Sequence, residues 1–409
     1  MKLHIAIPAL DELDFLPKTL AAIAQQQTSF PFQVYICVNQ PDAWWNDKEK
    51  LVICENNQKL LRFLEGVKEV KEVKEVNGVK GVKGVREVKG VSIEVIDKSS
   101  VGNGWKNKEN GVGWARKTLF DEIFKTAADD DVIVSLDADT LFNENYFQSI
   151  GENFTQNRID VLSVPYYHKL TDDENANRAI LQYEIYLRNY FINLHRIGSP
   201  YAFTAIGSAI AVRVKTLKKI RGITPLSSGE DFYLLQKLRK MSPISNYNSE
   251  IVYPAARFST RVPFGTGPAM IHFLKGNEEA YPIYHHSLFD KIKETYDVIP
   301  ELFTEDKNTE FIDFLKKQYK TEDLWGPLRK NFKTLPLFTR AFHEKADGLR
   351  ILQFLKAKNC RDAACHVYAA CQNNRRDAAC HVSTDMLKII RESLFVEEMN
   401  FRKLHPLNY

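Results

Sequence analysis

The amino-acid sequence predicts an α/β fold, a mostly parallel sheet flanked by helices, with a helical C-terminal extension. Three observations lead there. The first half alternates short β-branched runs with stretches whose apolar residues recur at helical spacing. An apolar run, Val132–Leu136, delivers a compact acidic motif, Asp137-Ala138-Asp139. From about His285 onward helical spacing continues with few strand signals. Strands alternating with helices of ordinary length form βαβ units and a parallel sheet. Ligands of such sheets bind beyond the carboxyl ends of the strands.

Taken in order, Leu3–Pro8 reads as a strand, Leu13–Gln27 as a helix by its Leu16, Leu20 and Ile23, and Phe32–Val38 as a second strand. Ser92–Asp97 is strand-like, Val112–Ala128 helical, Val132–Leu136 a strand, Asn143–Gln156 a helix and Asp160–Pro165 a strand. The turns to inspect are therefore Pro8–Glu12, Asn39–Asp42, Lys98–Gly113 and Asp137–Thr140. Between Val67 and Val91 valine recurs every third residue, a period that matches neither helix nor strand, so 66–91 reads as a low-complexity insert in a surface connection. Leu288, Ile292 and Tyr296, then Phe311, Phe314 and Leu315, then Leu349, Leu352 and Leu355 mark late helices. The chain divides on this reading into a body, 1–280, and a helical region, 281–409.

The second region contains a duplicated heptapeptide, RDAACHV, at Arg361–Val367 and Arg376–Val382. Cys360, Cys365, Cys371 and Cys380 fall in or beside it, but their spacing lacks the paired C-x2-C knuckles of zinc sites, so it reads as duplicated filler rather than a metal centre.

Composition narrows the function classes. With 409 residues, 56 Lys+Arg against 52 Asp+Glu, and a formal charge of +4, the chain is too balanced to work by blanketing nucleic-acid phosphates. No apolar run reaches the roughly 18 residues of a membrane span; the longest candidate, Ile197–Val212, is shorter and flanked by Arg196 and Arg213. The N-terminal apolar run stops at Asp11 and Glu12, too early for a secretory leader. The expectation is a cytoplasmic protein, with peripheral association at the inner face of the membrane left open.

The strand delivers Asp137 and Asp139 at i and i+2, where alternate side chains of an extended backbone share a face, and two carboxylates there suit a hard divalent cation that keeps waters and takes phosphate oxygens. Two other readings compete. Asp139 or Thr140 could cap the helix near Asn143. Strand-D-x-D-T-L also opens haloacid-dehalogenase-like phosphatases, with Asp137 as nucleophile. Downstream, Glu230 and Asp231 open a helix in GEDFYLLQKL, where acidity would also complement the helix dipole.

In order, IAIPALDELDFLPKTLAAI, GVGWARKTLFDEIF, SLDADTLFNENYF, GSAIAVR and GEDFYLLQKL resemble the family 2 glycosyltransferases of the GT-A fold, over roughly residues 1–275. The order of these elements favours that family over the phosphatase. The resemblance implies a Rossmann-like GT-A body and an inverting enzyme that moves a sugar from a nucleotide-diphosphate donor to an acceptor hydroxyl, in surface polysaccharide or glycolipid synthesis. It implies a glycan or lipid-linked acceptor and Mg²⁺ or Mn²⁺ as cofactor. It places Ala9, Glu12 and Asn39 at the base and ribose, Gly113 and Arg116 at the diphosphate, and the cation on Asp137 and Asp139. Asp231 would be the general base, Glu230 an ordering residue, and Arg257 or Arg261 a partner of the diphosphate or of an anionic acceptor. The chain departs from the pattern at Asp11-Glu12, where the family has Asn-Glu, and at Asn39, where it has Asp, so the base is not identified. The Q-x-x-R-W of processive synthases is missing, which favours single-sugar transfer over polymerisation. A non-catalytic nucleotide-sugar-binding protein is the remaining alternative.

Overall fold

The structure is a computed structural model that describes residues 1–69, 91–106, 109–260, 265–277, 280–359 and 383–404. Residues 70–90 of the valine-triplet insert expected at 66–91, both RDAACHV repeats with their four cysteines, and Arg261 lie outside the described residues. Contacts divide the chain into two compact units, Met1–Asp172 with Ala205–Pro268, and Asp173–Thr204 with Ala269–Tyr409.

The first unit holds a six-stranded sheet. Its elements begin β1 (Leu3–Ala9), α1 (Leu16–Ala24), β2 (Phe32–Asn39), α2 (Leu51–Glu69), β3 (Ile93–Lys98), α3 (Val112–Phe124) and β4 (Val132–Ser135). After β5 (Leu141–Phe142), α4 (Tyr146–Gln156) and β6 (Val161–Ser163), the chain leaves for the second unit through α5 (Glu174–Arg196). It returns as β7 (Ile210–Arg213), α6 (Val214–Lys219), α7 (Glu230–Arg239) and β8 (Val252–Tyr253). The strand order is β3-β2-β1-β4-β7-β6. β3, β2, β1 and β4 pair in parallel; β7 runs antiparallel to both β4 and β6, so β6 shares the direction of β4.

Burial explains this order. Every residue of β1 and β4 is buried, as strands covered on both faces require. β3 carries Glu94, Asp97 and Lys98 and is only half-buried along its length, a composition that suits an edge. The expected mixed α/β class with a mostly parallel sheet is thus what forms. Helix α1 starts later than its periodicity suggests, at Leu16, where Pro17 fits a first helical turn. β4 also ends early, at Ser135, because Asp137 to Thr140 close a turn in which the Thr140 N–H donates to the Asp137 carbonyl at 3.2 Å.

The described residues of the second unit are helical apart from their loops, as expected of the late region. Its long helix α5 is capped by Asp173, whose carboxylate accepts from the Asn175 and Ala176 N–H groups. α5 escapes a reading by apolar periodicity because Glu184 and Arg188 stand on its buried face. They meet the C-terminal helix Thr384–Lys403 through ion pairs, Arg188 with Glu398 and Arg391 with Glu184 at 3.3 Å. Arg402 grips the same Glu398, from Nη2 at 2.7 Å and Nε at 2.8 Å. Glu184, Arg188, Glu398 and Arg402 are all 2% exposed or less, so each charge depends on its partners. Glu398→Ala removes the carboxylate that Arg188 and Arg402 share; it is expected to cost about 3–5 kcal/mol, measured as a lower urea midpoint. Among the described residues no helix is long and apolar enough to cross a membrane.

Candidate functional site

Beyond the carboxyl ends of the parallel strands, two arginines pair with four carboxylates, and a fifth, Asp231, adjoins them. Arg116, on the second turn of α3, is 3% exposed. Its Nε donates to Ser135 Oγ at 3.1 Å, Nη1 to Glu230, and Nη2 to Asp137 Oδ1 at 2.5 Å. Ser135 Oγ in turn donates to the Gly207 carbonyl at 2.7 Å. The guanidinium therefore joins the last residue of β4, the first carboxylate of D-x-D and the first of E-D. Burial works against its charge, but Asp137, Glu230 and Asp231 outweigh it and its pKa is raised.

Two glycines make this junction possible. A Cβ on Gly207 would come within 2.1 Å of Arg116 Nη2. A Cβ on Gly113 would come within 2.2 Å of the Leu226 carbonyl oxygen, which accepts the Gly113 N–H at 3.1 Å. Gly113 thus admits the segment leading to α7, which brings Glu230 within reach of α3.

Asp231 follows Glu230 in the first turn of α7. It is half-buried, and its carboxylate accepts the Phe232 N–H at 2.7 Å. Burial, and then the charge of Glu230, push its carboxyl up to about 7. Among the described residues no arginine is paired with it, unlike Asp137, Asp139, Glu12 and Glu230.

Arg257, on the loop after β8, makes the second junction. Its Nη2 lies 2.5 Å from Glu12 Oε1 and 2.7 Å from Asp139 Oδ2, and its guanidinium carbon is 4.2 Å from the centre of the Phe15 ring. Asp139 and Glu12 outweigh the effect of burial and raise its pKa. The two D-x-D carboxylates thus go to separate arginines from a turn, instead of projecting side by side from a strand. Nor does the motif cap α4, whose N-cap is Asn145.

Other residues singled out in the sequence have structural partners. The Asn39 amide donates to the Ala9 carbonyl at 3.0 Å and the Cys37 carbonyl at 3.3 Å, while its oxygen accepts the Trp105 indole N–H at 3.4 Å. Asn39 and Ala9 are 3% and 0% exposed, so they shape the turn from inside. Asp11 has φ 59°, a left-handed conformation that Asp and Asn tolerate, which explains why either serves at this position. Asn57 Oδ1 accepts its N–H at 2.9 Å. Ser135, Phe15 and Trp105 belong to the site without a signal in the sequence; Gly207 was visible only as the glycine leading a strand.

Among the described residues five carboxylates, Glu12, Asp137, Asp139, Glu230 and Asp231, face the guanidinium groups of Arg116 and Arg257. The donors are hard oxygens. That fits a divalent cation, and a diphosphate would increase the need for one. Among the described residues no three His, Cys, Asp or Glu side chains converge as ligands. Magnesium-type sites built from one or two carboxylates, waters and substrate phosphates do not require three.

Residues 132–275, from β4 through α8 (Thr266–Leu274), match the family model of glycosyl transferase family group 2. Over this segment, about a third of the chain, the sequence is similar to family 2 glycosyltransferases. The family 2 match takes in D-x-D, E-D and Arg257, while Arg116 lies before it. No curated protein matches the chain in sequence. Solved structures similar in shape include S. aureus TarS 1-349 in complex with UDP-GlcNAc, at 13% identity and a TM-score of 0.41, covering 85% of this chain and 91% of that one. Another is glucosyl-3-phosphoglycerate synthase from Mycobacterium tuberculosis in complex with Mn²⁺, UDP and glucosyl-3-phosphoglycerate, at 11% identity and a TM-score of 0.33, covering 62% and 70%.

The Arg116 junction is testable through Gly207. Gly207→Ala forces the guanidinium away from Asp137 or Glu230; it is expected to cost about 1–3 kcal/mol by overpacking, read in the melting temperature, with loss of transfer in the folded fraction.

Proposed function

We propose that the chain is a cation-dependent, inverting glycosyltransferase that moves one sugar from a nucleoside-diphosphate donor to the hydroxyl of a glycan or lipid-linked acceptor. Its setting would be surface polysaccharide or glycolipid synthesis at the cytoplasmic side of a membrane. One observation carries this reading: Asp231, with its carboxyl pushed up to about 7, is not paired with an arginine among the described residues, and it adjoins a network that ends on D-x-D.

A general base must be ionised, able to take a proton near the working pH, and not tied up by a permanent cation. Asp231 has those properties; Glu230, paired with Arg116 and 3% exposed, does not. Asp231 takes the proton of the acceptor hydroxyl as that oxygen bonds to the anomeric carbon and the bond to the diphosphate breaks on the opposite side, so configuration inverts. The oxocarbenium character of such transition states makes the hydroxyl acidic late, which a carboxylate can match. Asp137 and Asp139 would hold Mg²⁺ or Mn²⁺, which when bound neutralises charge on the departing diphosphate. Arg116 orients Asp137 and Glu230 from within, and Arg257, paired with Asp139, would turn to the diphosphate of the donor. A phosphatase using Asp137 is set aside by the family match across D-x-D and E-D.

Asp231→Asn is expected to lower kcat roughly 10²–10⁴-fold, while the donor still stabilises the protein in a thermal shift. Asp137→Ala with Asp139→Ala should lose the Mn²⁺-dependent part of that stabilisation, screened with UDP- and GDP-sugars. Normal turnover in either variant would sink the proposal. The raised carboxyl also sets a pH dependence: kcat/KM should climb as Asp231 deprotonates through about 7 and level off above it. Glu230→Gln removes a neighbouring negative charge and should move that midpoint to lower pH.

A further inference from the structure

Arg257 divides one charge between two carboxylates. Its Nη2 reaches both Glu12 Oε1 and Asp139 Oδ2, tying the turn after β1 to the turn after β4. The Phe15 ring holds the guanidinium from one side. Its Nε is buried and has no hydrogen-bond partner. A buried donor left unmade is unfavourable, and a guanidinium is shaped to give two parallel bonds to phosphate oxygens. The arrangement satisfies Asp139 electrostatically while leaving Arg257 incompletely bonded.

A divalent cation at D-x-D would need the same Asp139 carboxylate that now faces Arg257. Two cations sharing one carboxylate repel each other, and the repulsion is stronger in a partly buried site than in water. A diphosphate resolves the conflict by supplying anionic oxygens to both. Resting on the transferase reading, we propose that Arg257 is an internal counter-cation that occupies Asp139 in the nucleotide-free protein, so that the divalent cation binds tightly only together with a nucleoside diphosphate. Glu12 then has a role other than ribose recognition: it is the second anchor that keeps Arg257 in place while the site is empty of donor. Cation and nucleotide become coupled through one side chain, and linkage makes the coupling reciprocal.

The test is Mn²⁺ binding to the full-length protein, read from the electron paramagnetic resonance signal of the free aqua ion, first without nucleotide. Arg257→Met keeps an apolar stem on Phe15 and removes the charge; it is expected to tighten nucleotide-free Mn²⁺ binding by roughly 5–150-fold, the usual span of such couplings. In the same variant the gain in Mn²⁺ affinity on adding UDP or GDP should shrink. Arg257→Lys keeps a cation but not the fork and should fall between the two, which preserves the test if the methionine variant does not fold. Folded Arg257→Met that binds Mn²⁺ no better than the wild type overturns the proposal. The double variant Asp137→Ala/Asp139→Ala separates the two levels of inference. If it loses Mn²⁺ while Arg257→Met is unchanged, only the counter-cation fails. If it binds Mn²⁺ as the wild type does, the cation reading of D-x-D fails with it.

Discussion

A guanidinium carried into the interior must find enough negative charge to replace water, and the arrangement around Arg116 follows from that requirement. The effective penalty of burying one such ion is several kcal/mol. A single carboxylate at 4 Å returns about 4 kcal/mol at an effective dielectric of 20, so one partner barely balances the loss and two exceed it. Asp137 and Glu230 are those two partners, and the raised pKa of Arg116 shows that they prevail. The consequence is geometric. The end of β4 and the start of α7, 93 residues apart in sequence between Asp137 and Glu230, are held by one planar group whose third bond goes to Ser135. Gly207 and Gly113 are fixed by the same requirement, since a side chain at either would enter the space that the guanidinium or the Leu226 segment occupies.

How much of this could be read beforehand depends on whether the deciding interaction is local. β1, β2, β3, β4, α1, α3 and α4 lie within a few residues of their sequence-based limits because apolar runs and helical spacing are short-range signals. α5 carries its tertiary contacts as buried ion pairs to the C-terminal helix, so Glu184 and Arg188 look in sequence like surface residues. The D-x-D and E-D motifs were visible as motifs, yet their pairing was not. Which arginine meets which carboxylate is settled by a turn at Asp137 to Thr140 and by a loop after β8, and neither has a periodicity to read.

Asn39 and Glu12 show the same limit from the other side. Polar residues at the ends of parallel strands invite assignment to a ligand, since that edge is where ligands bind. In the folded chain the Asn39 amide instead holds two backbone carbonyls and the Trp105 indole, and Glu12 holds Arg257. Both still shape the site, through the turn that they brace. The left-handed Asp11 between β1 and Glu12 belongs to this bracing, with Asn56 and Asn57 of α2 bonded to it.

The distribution of the two arginines over five carboxylates also decides which acid can act. A carboxylate with a guanidinium on it is held in its charged form and is a weak base. With the partners as they are, burial and the charge of Glu230 lift Asp231, while Arg116, close but not bonded, limits the rise. The balance comes to rest at about 7, where a carboxylate can both exist as the anion and accept a proton. One buried arginine therefore does two things at once: it fixes the distance between the two acidic motifs, and by choosing Glu230 it leaves Asp231 able to exchange a proton.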